Sequence, residues 1–154
     1  MESSGRVRGN ASGPTSDVVG ENVARIRQLR HLKQADLAEL VAELGRKIPT
    51  ASIGKIELGL RRVEVDDLMV LALALGVSPL SLLLPDTRRP EENVQISGAN
   101  GRADVVWRWA LGEIDLMKTG RDEIALTDSG IFRHEALPGW IDVETRVYGP
   151  SESR

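Results

Sequence analysis

The chain of 154 residues contains no cysteine, which removes disulfides, thiolate nucleophiles and most structural zinc sites together and fits a reducing compartment. It also lacks any apolar run long enough to span a bilayer, and its opening, MESSGRVRGNASGPTS, has no apolar stretch resembling a signal peptide. We therefore expect a cytoplasmic protein with no membrane contact. Histidine is nearly missing too: His31 and His134 are the only two, and neither has the carboxylate or second-histidine spacing of a metal site. The single serine-containing stretch with a catalytic look, TDSG at Thr127 to Gly130, has no nucleophile elbow and reads as a turn. No catalytic residue, metal or cofactor is expected, and the chain does not read as an enzyme.

What is present is a globular composition, 41% hydrophobic and 28% charged, enough for one firm domain and a smaller appendage. The net charge of −3 is unevenly spread. Residues 1–84 carry 11 Lys and Arg against 10 Asp and Glu, whereas residues 85–154 carry 9 against 13. Within 46–62, Arg46, Lys47, Lys55, Arg61 and Arg62 face only Glu57. The cations are local, and location rather than the total decides which partners a surface attracts.

Apolar residues at helical spacing predict five short helices between residues 17 and 84. The first runs over about 17–31 on Val19, Val23 and Ile26, after a Gly/Ser-rich stretch, residues 1–16, expected to be a disordered tail. The second uses Leu37, Leu40, Val41 and Leu44 and stops at Gly45; the third covers about Pro49–Leu58 with Gly59 behind it. The fourth opens with Asp66 and Asp67, which complement its dipole, and ends at Gly76; the fifth starts from Ser78 and Pro79. Residues 86–93, which follow Pro85, include Pro90 and carry mixed charge, predict a linker to a small C-terminal region, 94–154. There NVQIS suggests a short strand and ADVVWRWALG a helix ended by Gly112, and Trp107, Trp109 and Trp140 are expected to pack rather than to line an aromatic ligand pocket.

At 100° per residue, Ile53, Ile56 and Glu57 share one side of the third helix, and Ala51, Gly54, Lys55 and Leu58 share the other. The isoleucines must face a core, so the outward side is lean apart from one long cation. Such a surface, bracketed by Arg46 and Lys47 before it and Arg61 and Arg62 after it, suits a DNA major groove, which admits one helix between two rows of phosphate.

The segment QADLAELVAELGRKIPTASIGKIELGLRRVEVDDLMVLALALGVSPLSLLLP resembles the Cro/phage-repressor, or XRE, type of helix-turn-helix protein, in a form similar to actinobacterial regulators. The resemblance spans about Val19 to Pro85. It implies an all-α fold, a five-helix lambda-repressor-like domain over 17–85, followed by a small annex that is either α+β or irregular. It also implies that the third helix reads double-stranded DNA while the second crosses the backbone. Position by position, it implies that Gln34 contacts phosphate and braces the third helix, that Thr50, Ala51, Gly54 and Lys55 face bases, and that Arg61 and Arg62 contact phosphate. Ser52, Arg46 and Lys47 complete the implied DNA-binding set. Arg27 and Glu57 match a structural ion pair of the family. The connection AELGRKI is longer than in compact phage repressors, and Ala51 and Gly54 bring no side-chain donors, leaving Thr50 and Lys55 as direct readers.

Together these readings predict a sequence-specific transcriptional regulator acting as a homodimer, with a protein or small-molecule effector bound by the C-terminal region. The alternative from the residues is a protein-interaction module, antitoxin-like or an adaptor, because clustered charge is also what an ordinary solvated face or protein-binding surface carries.

Overall fold

A computed structural model describes residues 12–118 and 126–141. They fall into two compact units that divide between Asp104 and Val105.

The first unit holds α1 (Pro14–Leu29), α2 (Gln34–Glu43), α3 (Thr50–Glu57), α4 (Val65–Leu75) and α5 (Pro79–Leu83), then a hairpin of β1 (Asn93–Ile96) and β2 (Ala99–Arg102). Its core is one cluster: Val19, Val23 and Ile26 from α1, Leu37 and Val41 from α2, Ile48 from the connection, Ile53 and Ile56 from α3, Leu71, Ala72 and Leu75 from α4, and Leu82 from α5. α1 touches α3, α4 and α5, so it is the hub of the helical array. Truncating a fully buried leucine such as Leu37 or Leu71 costs about 2–5 kcal/mol.

Local chemistry sets the boundaries. α1 begins at Pro14, three residues inside the stretch expected to be a tail; Gly13 is extended and Pro14 takes the first helical position, where its missing N–H is no loss. Residues 1–11 lie outside the described residues. α4 stops at Gly76, left-handed at φ 64°, and α5 starts from Ser78, whose hydroxyl accepts from Leu80 N at 3.2 Å. Asn22, 3% exposed, donates through Nδ2 to the carbonyls of Leu82 (3.1 Å) and Leu84 (2.8 Å) and so satisfies the end of α5.

The hairpin pairs Asn93 with Arg102 and Ile96 with Ala99 across a Ser97-Gly98 turn, with Gly98 at φ 91°. Although it follows the linker, it belongs to the helical unit. Ser97 N donates to Thr15 Oγ1 at 2.9 Å and Thr15 N donates to Ser97 Oγ at 3.5 Å, so the turn partners an otherwise open N–H in the first turn of α1.

α6 (Ala103–Ala110) crosses the division between the units, and α7 (Leu126–Ala136) lies in the second. Gly112, at φ 74°, ends α6 with its N–H on Trp109 O at 2.9 Å. Two expectations change here. Thr127 to Gly130 is helical rather than a turn. The tryptophans are not a packed set: Trp109 is 37% and Trp140 83% exposed, and Trp107 is half-buried. No helix among the described residues is long and apolar enough to cross a membrane.

Candidate nucleic-acid interface

α3 is held from below by three contacts of different kinds. Ile53 and Ile56 are 0% and 1% exposed and anchor it to the core. Gly20 of α1 lets the helices approach closely, since a Cβ there would overlap the Ile56 carbonyl oxygen. Glu57 is the third. Arg27 Nε donates to its Oε1 at 2.6 Å and Arg27 Nη2 to its Oε2 at 2.9 Å, while Gln34 Nε2 donates to the same Oε2 at 2.8 Å. One carboxylate thus joins α1, α2 and α3.

Arg27 Nη1 also donates to Leu32 O at 2.7 Å, and the two charged side chains are only 12% and 8% exposed. Hydrogen bonding to Glu57 holds the Arg27 guanidinium above its already high ordinary pKa against the opposing cost of burial, with the Glu57 charge adding to the rise. A bidentate pair of this geometry fixes the rotation of α3 about its own axis.

The connection from α2 to α3 runs through Leu44–Pro49 and reverses at Gly45, φ 86°, with Ile48 buried as its anchor. Beyond α3, Gly59 at φ 69° turns the chain back: Gly59 N bonds Ile56 O at 3.0 Å and Leu60 N bonds Lys55 O at 2.8 Å. These reversals bring Arg46 and Arg61, from opposite ends of α3, onto Asp67 in the first turn of α4. Asp67 is 2% exposed; its Oδ1 accepts from Arg46 Nε and its Oδ2 from Arg61 Nη2 at 3.1 Å. Glu64 and Asp66 add contacts to Arg46 at 3.0 and 3.5 Å. The hydrogen bond to Asp67 is the foremost cause of a raised Arg46 pKa; desolvation opposes it, and the charges of Asp67, Asp66 and Glu64 assist.

The cations bracketing α3 are therefore of two kinds. Arg46 and Arg61 are engaged with the acidic start of α4. Lys47, Lys55 and Arg62 are exposed and make no ion pair with a described residue. Thr50, Ala51 and Lys55 stand exposed on the outer side of α3, and Ser52 and Gly54 are half-buried. Gly54 is screened by Gln34, whose Oε1 would sit 3.3 Å from a Cβ at that position. Pro49 supplies no side-chain cap, so the first N–H groups of α3, at Thr50 and Ala51, have no side-chain acceptor among the described residues.

Sequence reading placed Glu57 and its partner but assigned Asp67 only to the dipole of its helix. The signal for its larger role is the triplet Glu64, Asp66 and Asp67 immediately after the cation-rich window. Among the described residues no group of three or more His, Asp or Glu side chains has metal-binding geometry.

A short, cation-flanked helix presented outward by a second helix and a turn is the architecture of a DNA-binding helix-turn-helix domain. The helix-turn-helix family model HTH_3 matches residues 23–82, from the middle of α1 into α5. This segment is a helix-turn-helix domain of the XRE type. Similar solved structures include the restriction-modification controller protein C.AhdI from Aeromonas hydrophila, 27% identical, covering 44% of this chain and 94% of that chain with a TM-score of 0.39. Another is a hypothetical transcription factor, NHTF, from Neisseria, 20% identical, covering 52% of this chain and 88% of that one with a TM-score of 0.42. The family match carries the assignment, and the overlays add nothing to it. No curated protein matches the chain.

Proposed function

We propose that the chain is a sequence-specific transcriptional regulator, not an enzyme, which inserts the outer side of α3 into the major groove of double-stranded DNA. The observation that carries this reading is the split across α3: its inner side is locked by Ile53, Ile56 and Glu57, while the side chains of Thr50, Ala51 and Lys55 are exposed and engage no described residue through a hydrogen bond or ion pair. In this reading Thr50 and Lys55 hydrogen-bond base edges and Ala51 meets a thymine methyl, with Ser52 and Gly54 close to the groove wall. Lys47 and Arg62 contact phosphates at either end, and the open N–H groups at the start of α3 favour a further phosphate.

Gln34 acts mainly as a brace in this reading, because its amide is already spent on Glu57. Arg46 and Arg61 shape the interface from behind rather than contributing free charge, since both are bound to Asp67. The protein works as a homodimer on paired half-sites about one helical turn apart. The second unit, with Met117 and Trp140 both more than 80% exposed, supplies surface for a protein or small-molecule effector.

The test is a salt titration of duplex binding by the full chain. Counterions released from the phosphates that Lys47 and Arg62 contact, about two per protomer, give a linear loss of log affinity with log salt, with a slope of about −0.9 per phosphate neutralised. Absence of retention on duplex DNA at moderate salt would overturn the reading.

A further inference from the structure

The hairpin of β1 and β2 lies outside the matched residues 23–82, yet it is built onto the helical unit. Two strands of four residues are marginal on their own in water, so their attachment matters. Ile96 is buried, Val94 and Ala99 are half-buried, and Gly13 leaves room for the turn, since a Cβ there would stand 3.0 Å from Ser97 Oγ. Together with the two Thr15–Ser97 bonds, these contacts fix the ribbon on the first turn of α1.

Strand alternation puts the remaining side chains on the opposite face. There Asn93 lies across from Arg102 and Gln95 across from Asn100, and all four are exposed. Asp104 holds Arg102 through Nε and Nη2 at 3.1 and 3.0 Å, whereas the side chains of Asn93, Gln95 and Asn100 hydrogen-bond no described residue. Asparagine is disfavoured in strands, so local propensity does not account for a face of three amides.

That face belongs to an element anchored close to α3. Asp17, two residues past Thr15 and about 3 Å further along α1, stands beside Gly59, where a Cβ would lie 3.4 Å from Asp17 Oδ1. Gly59 is the reversal that closes α3 and leads on to Arg62. A ribbon next to that end of α3 meets the groove that follows the one α3 enters. Neutral amides suit a minor groove, where A·T pairs present only acceptors and a G·C pair adds the guanine amino group. Side chains directly opposite on a ribbon, such as Gln95 and Asn100, have Cβ atoms about 4.5–5.5 Å apart, within the width of about 6 Å of that groove.

We infer that the amide face of the hairpin, Asn93, Gln95 and Asn100, is a second DNA contact, laid against the minor groove that flanks the bases read by α3 and selecting A·T pairs there. This rests on the reading of α3 above and adds a stretch of the half-site that α3 does not touch.

The test compares the full parent chain with the double variant Gln95→Ala, Asn100→Ala on three duplexes. All carry the motif selected by the parent, and the flanking pairs are A·T, G·C or inosine·C. Inosine lacks the guanine amino group, so its pair with C has the minor-groove pattern of A·T and the major-groove pattern of G·C. The parent should bind the G·C flank about 10-fold more weakly than the A·T flank and recover on inosine·C. The double variant, with unchanged far-ultraviolet circular dichroism, should bind all three alike, about 10-fold below the parent on A·T, and with the parent's salt slope, because no phosphate contact is lost. Indifference of the parent to the flank, no recovery on inosine·C, or a variant that still discriminates overturns the inference. Flank indifference with the central motif still read leaves α3 standing and removes the hairpin alone; failure of the parent to bind duplex DNA overturns both.

Discussion

The two sides of α3 share eight residues of backbone yet obey different rules. On the inner side every polar group is spoken for: Glu57 accepts from Arg27 and Gln34, and the neighbouring isoleucines are sealed in the core. On the outer side Thr50, Ala51 and Lys55 are exposed, and the lysine makes no ion pair with a described residue. The cations around the helix divide in the same way, with Arg46 and Arg61 bound to Asp67 while Lys47 and Arg62 pair with no described residue. A domain spends contacts where it needs a fixed orientation and withholds them where a partner is to supply them. Substitutions on the inner side should therefore act on stability first, and those on the outer side on binding alone.

The largest effect is expected at Glu57. Glu57→Ala leaves the Arg27 guanidinium nearly buried without its counter-charge and should cost about 3–5 kcal/mol of unfolding free energy, measured by urea denaturation. Gly20→Ala comes next and reverses a general rule. In an open helix interior the change stabilises by about 1 kcal/mol, but here the added methyl meets the backbone of α3, so a loss of about 1–3 kcal/mol is expected. Its DNA affinity should fall as well, because relief requires α3 to move.

Asp67→Ala sharpens the contrast between bound and free cations. Losing two charge-assisted hydrogen bonds lowers stability by about 2 kcal/mol, yet it frees Arg61 and leaves Arg46 only its exposed contacts with Glu64 and Asp66, so the salt dependence of DNA binding should become steeper. Arg62→Ala is smaller and opposite in kind: stability should stay within about 0.5 kcal/mol, while affinity falls alike for all sequences and the salt slope drops by about 0.9. Arg61→Ala, one residue away, should lower stability and change the slope less. Equal slopes for Arg61→Ala and Arg62→Ala would erase the distinction between them.

Much of this organisation was legible in the sequence where it depends on local periodicity. A 100° step places Glu57 beside Ile53 and Ile56, so its inward orientation follows without coordinates. Gly76 and Ser78 announced the end of α4 and the start of α5 through backbone chemistry that acts within a few residues. The contacts that escaped are those made across long stretches of chain. Arg46 reaches Asp67 over 21 residues, and the Ser97 turn reaches Thr15 over 82. No periodicity encodes either. Counting charge within a window made Arg46 and Arg61 look like free cations, because the neutralising carboxylates lie just beyond it. Pro14 was hidden by the Gly/Ser-rich composition around it, although its position at the head of α1 is where proline is welcome.

The outward side of α3 is tested most directly by selecting binding sites from random duplex DNA with the full chain and with Lys55→Ala in parallel. The account predicts a two-fold symmetric motif for the parent and, for the variant, an altered base preference at one position in each half-site with the rest of the motif intact. An identical motif and affinity for both proteins, or no motif for the parent, would contradict it.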